Sequence, residues 1–141
     1  MPTNTAGTSA RQDPRQVVNT LKIQINYNDP GISTGIPFAN YLPQGAFITE
    51  IISEVITAFN AATTNPISVG TVGPAYTNIV LATDITSGTP GVYLSTGAGA
   101  RGRSLTAAGD VLPYVKYAPT GTAPTTGKAI IIIKYEGGWS N

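Results

Sequence analysis

The sequence predicts an all-β fold, an antiparallel β-sandwich, from two features of its composition. The β-branched residues number 44 of 141, with 20 Thr, 15 Ile and 9 Val, whereas the helix former Leu occurs six times. β-Branched side chains favour strands because they lose rotamer freedom in a helix. Sixteen Gly and eleven Pro are spread along the chain and divide it into short segments, as strands joined by turns require.

Composition also limits the function. A chain of 141 residues fits one domain. The sequence has no Cys and no His, which excludes disulfides and thiolate sites and removes the usual imidazole bases and metal ligands. We therefore expect no enzymatic activity and no cofactor. A net charge of +1 with 11% charged residues is too small for a surface that tracks phosphates, so we expect no nucleic-acid partner.

Hydropathy predicts no membrane partner. No apolar run approaches the roughly 18 residues of a membrane helix, and residues 1–16 lack the apolar stretch of a signal peptide. We expect a protein that is made and kept in a cytosol, or in a particle assembled there.

Residues 1–16 are interpreted as an extended N-terminal arm, followed by a single β-sandwich domain over residues 17–141. The arm has no large apolar side chain after Met1, so it cannot bury enough surface to offset the entropy of ordering. It is either a frayed terminus or an arm that becomes ordered on a partner. In the second case Arg11 and Arg15 would meet carboxylates on a neighbouring protein.

The first strand is predicted over residues 17–27. Leu21, Ile23 and Ile25 alternate with polar residues, which is typical of a half-exposed antiparallel strand. The turn sequence at residues 28–31, which contains Pro and Gly, ends it.

Residues 46–60 admit two interpretations. The spacing of their apolar residues fits a helix, with Glu50 and Glu54 on the opposite side. Seven of the fifteen residues are β-branched, however, and residues 42–45 before them have turn chemistry rather than a helix cap. We therefore predict a long strand, either covered on both faces or bulged so that it changes face at Ile51 and Ile52.

Shorter strands are predicted further along the chain, at residues 66–71, 76–83, 91–95, 111–118 and 128–135. The loop over residues 119–127 would join the last two strands as a hairpin. Residues 130–133 are apolar on both faces and so predict a central strand, whereas the alternating glycines of residues 97–103 predict a loop.

The same alternation predicts the core. Its members are Leu21, Ile23, Ile25, Phe38, Phe47, Ile52, Ile56, Ile67, Val69, Ile79, Leu81, Val115, Ile131 and Ile133.

The carboxylates give weak candidates for chemistry. Glu50 and Glu54 would lie roughly 13 Å apart on a strand, too far for a glycosidase pair, so we interpret them as a solvated face. Asp29, Asp84 and Asp110 each stand beside turn residues, where a loop calcium ion is conceivable, although no ordered ligand pattern is present.

Candidate partner-binding residues lie in the glycine-rich loop and near the C-terminus. Arg101 and Arg103 stand where a mobile solubilising loop and a contact with another protein are both plausible interpretations. Trp139 follows two glycines and either packs the last strand onto the sandwich or anchors in a neighbour's pocket. With Arg11 and Arg15, these are the residues that we predict to bind a partner.

Three short segments resemble a pattern found in small structural proteins of tailed bacteriophages. They are LPQGAFIT at residues 42–49, AFNA at residues 58–61 and ISVG at residues 67–70. The resemblance covers residues 20–95, and residues 128–135 more loosely. It implies a jelly-roll-like β domain in a virion, often a decoration or cement protein of the head, and it carries over no catalytic or metal-binding residue.

Two binding functions follow from these features. The first is a decoration protein on the capsid surface, assembled in the host bacterial cytoplasm. It would bind neighbouring subunits of the major capsid protein and stabilise the shell, as a symmetric dimer or trimer. The alternative is a fibre, tail or baseplate module that binds host surface glycan. Such a module should expose aromatic platforms, and residues 76–78 with Trp139 are too few to favour it.

Overall fold

The computed structural model describes residues 18–95 and 105–137, which form two antiparallel sheets without an α-helix. The all-β sandwich prediction is therefore confirmed, whereas the predicted arm and the boundary at residue 17 lie outside the described residues. No helix in the described part is long and apolar enough to cross a membrane. The strands are β1 (Val18–Asn26), β2 (Ile36–Pro37), β3 (Phe47–Thr57), β4 (Ile67–Gly70), β5 (Gly91–Leu94), β6 (Tyr114–Tyr117) and β7 (Lys128–Glu136).

The chain alternates between the two sheets. The odd-numbered strands form a four-stranded sheet in the order β1-β7-β3-β5, and the even-numbered strands form a three-stranded sheet in the order β2-β6-β4. An isolated bridge between Val69 and Val80 extends the second sheet beside β4. The prediction of a central strand at residues 130–133 is confirmed, because β7 pairs with both β1 and β3.

The core fills the space between the sheets: alternate residues of β6 and most of β7 are buried, and all four residues of β4 are buried. Most of the predicted core is buried, and Ile23 packs partly buried against it. The confirmed members are Leu21, Ile25, Phe38, Ile67, Val69, Ile79, Val115, Ile131 and Ile133.

The predicted facing of β3 is wrong. Phe47 and Ile56 are 51% and 44% exposed, and Ile52 is half-buried, whereas Ile48 and Ile51 are buried. The ladder with β7 shifts register between Ile48 and Glu50 and again between Val55 and Thr57. Each extra residue is a bulge that reverses which side chains point inward. The strand was expected to change face at residues 51–52, but the first change occurs at Thr49, whose hydroxyl donates to the carbonyl of Lys134 at 3.2 Å.

Residues 76–83 do not form the predicted strand. Tyr76 has a φ of +51°, which interrupts extended backbone, and the Asp84 carboxylate accepts a hydrogen bond from the backbone N–H of Leu81 at 3.1 Å in a tight turn. Leu81 is consequently 38% exposed rather than buried. Only Val80 of this segment makes a bridge to β4.

The predicted terminal hairpin is also wrong. β6 pairs with β2 and β4, whereas β7 pairs with β1 and β3, so residues 119–127 connect one sheet to the other. Asn60 fixes this connection, because its side-chain oxygen accepts the backbone N–H groups of Thr125 and Thr126 at 2.8 and 3.0 Å.

Candidate interaction surface

The five residues predicted to bind a partner, Arg11, Arg15, Arg101, Arg103 and Trp139, lie outside the described residues. The structure nevertheless fixes where their segments join the fold. Residues 1–17 lead into the start of β1, residues 96–104 follow β5, and residues 138–141 follow β7.

All three segments join the four-stranded sheet toward the same end. Val18, at the start of β1, pairs with Glu136, at the end of β7, and Glu136 also pairs with Phe47, at the start of β3. At the β5 edge of the sheet, the backbone N–H of Ser95, the residue after β5, donates to the carbonyl of Ile51 in β3 at 3.1 Å. We call this end of the sheet, marked by Val18, Phe47 and Glu136, the attachment end.

The attachment end carries exposed apolar side chains. Val18 and Phe47 are 53% and 51% exposed, and the register places them on either side of Glu136. All three side chains point away from the core, since Leu21, Ile48 and Ile133 occupy the inward positions of the same strands. Exposed apolar groups around a single charge are typical of a protein contact rather than of a solvated strand end.

A second apolar group lies further along the outer face, by which we mean the face of the four-stranded sheet that points away from the three-stranded sheet. Ile52, Val92, Leu94, Ile130 and Ile132 form this apolar patch, and the register pairs Ile52 with both Leu94 and Ile132. Val92 and Leu94 are 64% and 63% exposed, whereas the three isoleucines are half-buried. An antiparallel strand with one wet face normally presents polar residues there, so the patch is a candidate interaction surface, and its residues were not among the predicted site residues.

Charged side chains border the apolar patch. Lys134 Nζ lies 3.5 Å from Glu50 Oε2 on the neighbouring strand, and both side chains are partly exposed. Glu54 lies opposite Ile130 and Val92, and Lys22 lies opposite Ile132. The interpretation of Glu50 and Glu54 as a solvated face agrees with these positions, although Glu50 also forms a cross-strand ion pair.

The three aspartates considered for calcium act in turns. Asp29 accepts the backbone N–H of Asn26, and Asp110 accepts that of Gln44, both at 2.7 Å, while Asp84 closes the turn described above. Within the described ranges, no group of three or more potential metal-ligating side chains is found. The turn predicted at residues 28–31 is confirmed, because the Asp29 contact lies where β1 ends.

The aromatic residue that was considered for a glycan-binding platform within the described part of the chain, Tyr76, is stacked on another ring. The ring of Tyr76 stacks on that of Tyr114, with centroids 4.8 Å apart and planes 18° apart, so these two rings cover each other. A shallow cavity of about 390 Å³ lies elsewhere and is lined mainly by small side chains, among them Thr64, Asn65 and Ser87.

Two solved structures share this fold over nearly the whole chain. A chain of the capsid asymmetric unit of cyanophage Pam1 aligns with a TM-score of 0.65 and 18% identity, covering 96% of this chain and 98% of that chain. A chain of the capsid of Ralstonia phage GP4 aligns with a TM-score of 0.62 and 26% identity, covering 94% and 92%. The likenesses support a structural role in a phage virion. No protein-family model and no curated protein sequence matches this chain.

Proposed function

We propose that this protein is a capsid decoration, or cement, protein without enzymatic activity. In this proposal it binds the outer surface of a phage head across neighbouring subunits of the major capsid protein and stabilises the shell as a homo-oligomer. The observation that carries the proposal is that residues 1–17, 96–104 and 138–141, which contain the five candidate contact residues, all join the four-stranded sheet toward its attachment end.

Attachment by one end suits a protein that decorates a surface. A subunit that builds a shell must contact neighbours around its perimeter, whereas a decoration protein needs one bound end and a free end. The opposite end of this domain carries the polar turn at residues 28–31 and the Thr- and Gly-rich loop at residues 119–127, which the hydrogen bond from Tyr27 N–H to the Gly127 carbonyl brings together at 3.0 Å. That end is suited to face solvent.

The lengths of the aligned chains support the same role. The alignments cover more than nine tenths of both partners, so the matched chain in each capsid is about as small as this one. We also infer that the domain is a jelly roll whose eighth strand is reduced to residues 79–80. With that element beside β4, the alternating strands make two sheets of four, the strand count of that fold.

The test is co-sedimentation of the purified chain with capsids of the same phage that lack decoration. Removing residues 1–16 should weaken attachment at least tenfold, a loss of about 1.4 kcal/mol, while the melting temperature of the isolated domain stays nearly constant. Replacing Arg11 and Arg15 by Ala should weaken attachment in the same direction. Lys128→Ala is the matched control, because it removes a cation from the opposite end of the sheet.

Two results would contradict the proposal. The first is that the truncated chain attaches to capsids as tightly as the full chain, and that Arg101→Ala and Arg103→Ala do not weaken attachment either. The other is binding of the full chain to host cells or surface glycans but not to capsids, which would favour the fibre, tail or baseplate function.

A further inference from the structure

The outer face of the four-stranded sheet shows a charge arrangement that complements itself. In the register of β3 with β7, Glu50 pairs with Lys134, and two residues further along Ile52 pairs with Ile132. β3 therefore presents an acid followed by an isoleucine, and β7 presents a base followed by an isoleucine at the same levels. A partner of uniform charge would leave one member of the ion pair without a counterpart, whereas a second copy of the same face supplies both signs.

We propose that the outer faces of two copies pack against each other around a two-fold axis that runs parallel to β3 and β7, between them. This inference rests on the homo-oligomer in the proposed function and names the surface that forms it. Rotation about such an axis keeps the level along the strands and exchanges β3 with β7 across the interface. Lys134 then faces Glu50 of the partner subunit, and Ile132 faces Ile52 of the partner subunit, with each contact made twice, as a two-fold interface requires.

The face reaches the size of a specific interface. Its four strands have 9, 9, 11 and 4 residues, and at about 3.3 Å per residue and about 4.8 Å between strands they give a footprint of about 520 Å² per copy and about 1,050 Å² for two. Specific interfaces generally bury more than about 1,000 Å² in total, with an apolar centre and a polar rim. The apolar patch would form most of that centre, with Lys22, Glu50 and Lys134 at its border, while Glu54 lies inside it between Val92 and Ile130.

The packing also explains the sequence of β7. The run at residues 130–133 places Ile131 and Ile133 in the core and Ile130 and Ile132 on the outer face. On a monomer the half-exposed Ile130 and Ile132 would be an aggregation hazard. Cover by a second copy removes that hazard without a further layer of this chain.

The test uses two charge-reversed variants, Glu50→Lys and Lys134→Glu, with mass in solution measured by sedimentation velocity or light scattering. We expect the full-length wild-type chain to be a dimer. Each variant alone places like charges opposite each other across the interface twice, so its dimerisation should weaken at least tenfold. An equimolar mixture of the two variants should form a heterodimer close to wild-type affinity, because both contacts across the interface then join opposite charges.

The mixing result separates this geometry from a purely structural role of the ion pair. Within each variant chain the pair remains broken, so recovery on mixing can come only from contacts between copies. A mixture that stays monomeric, or single variants that dimerise like the wild type, would overturn the proposed packing. A wild-type chain that is a monomer or a trimer would do the same.

A matched pair of surface substitutions tests the location. Val92→Glu places a carboxylate in the apolar patch, and Val72→Glu places one at an equally exposed valine outside the four-stranded sheet, since both are 64% exposed. Only Val92→Glu should weaken the dimer by tenfold or more, and equal effects of the two substitutions would refute the interface.

A wild-type monomer that still binds capsids would reject this packing and leave the decoration function standing. A dimer with the expected sensitivities that fails to bind capsids would reject the decoration function alone.

Discussion

Replacing Ile51 by Ala tests the facing of β3 directly. Ile51 is fully buried, pairs with Ile133 in the ladder, and accepts the backbone N–H of Ser95 through its carbonyl. The substitution removes three buried carbon groups, worth about 2.4 kcal/mol at roughly 0.8 kcal/mol each, and leaves a cavity that raises the cost to between about 2 and 5 kcal/mol. Ile56→Ala is the matched control on the same strand, because Ile56 is 44% exposed and its truncation should cost less than about 1 kcal/mol.

Urea unfolding followed by tyrosine fluorescence and circular dichroism measures both costs. The slope of the free energy of unfolding against denaturant should stay constant, so that the shift in midpoint reports stability alone. The expected result is a loss for Ile51→Ala at least twice that for Ile56→Ala. Equal losses, or a larger loss for Ile56→Ala, would refute the observed facing of β3 and favour the predicted one, in which Ile52 and Ile56 are buried.

Two further predictions concern the connections between the sheets. Gly127→Ala should lower the free energy of unfolding by at least about 2 kcal/mol in a melting experiment, because Gly127 has a φ of +151° and an added Cβ would meet the buried ring of Phe59. Gly109→Ala is the control and should be nearly neutral, since its Cβ meets nothing within 4 Å. Similar losses of stability in the two variants would contradict the prediction. Burial raises the pKa of Tyr117 above its ordinary value of 10.0, and its hydroxyl donates to Asn65 at 2.7 Å. The wild-type domain should therefore lose stability as the pH rises above about 10, where tyrosine in the unfolded chain ionises. Tyr117→Phe should lower the free energy of unfolding at neutral pH by about 1 kcal/mol. When unfolding is measured over a range of pH, this variant should lose less stability above pH 10 than the wild type does.

The strands with regular alternation were predictable, because one apolar residue in two is a sufficient signal for a half-buried strand. β1 follows this rule, whereas β7 was recognised as a short apolar run after turn residues, and both were assigned almost to their observed ends. β3 does not follow the rule, because a bulge shifts the alternation of inward and outward residues by one position while leaving the composition unchanged. In a pair such as Ile51-Ile52 either residue could point inward, and only the pairing with β7 determines which one does.

The tertiary pairing lies beyond local patterns. β2 has two residues, too few to alternate, and it was not predicted. The turn residues at 119–127 favoured a hairpin, but β6 and β7 lie in different sheets, where each finds two partners, and local sequence carries no signal for such long-range pairing.

The predicted contact residues lie outside the described residues and stay a prediction. Composition suggested them, and the topology adds only that their segments join the same end of the sheet. The apolar patch could not be recognised in the same way, because Val92 and Leu94 look like core residues until β5 is known to be an edge strand with that side facing outward.

The position of β7 at the centre of its sheet has a consequence for the timing of assembly. β1 and β3 are both made long before β7, and within the described fold β1 has no other strand partner. During synthesis the four-stranded sheet therefore cannot close until residues 128–136 have left the ribosome, and contacts of such long sequence separation form slowly. Glu50 meets Lys134, and Val18 and Phe47 meet Glu136, only in that last step. A chain that lacks β7 consequently has neither the attachment end nor the ion pair of the outer face, so both features are present only on a completely folded subunit.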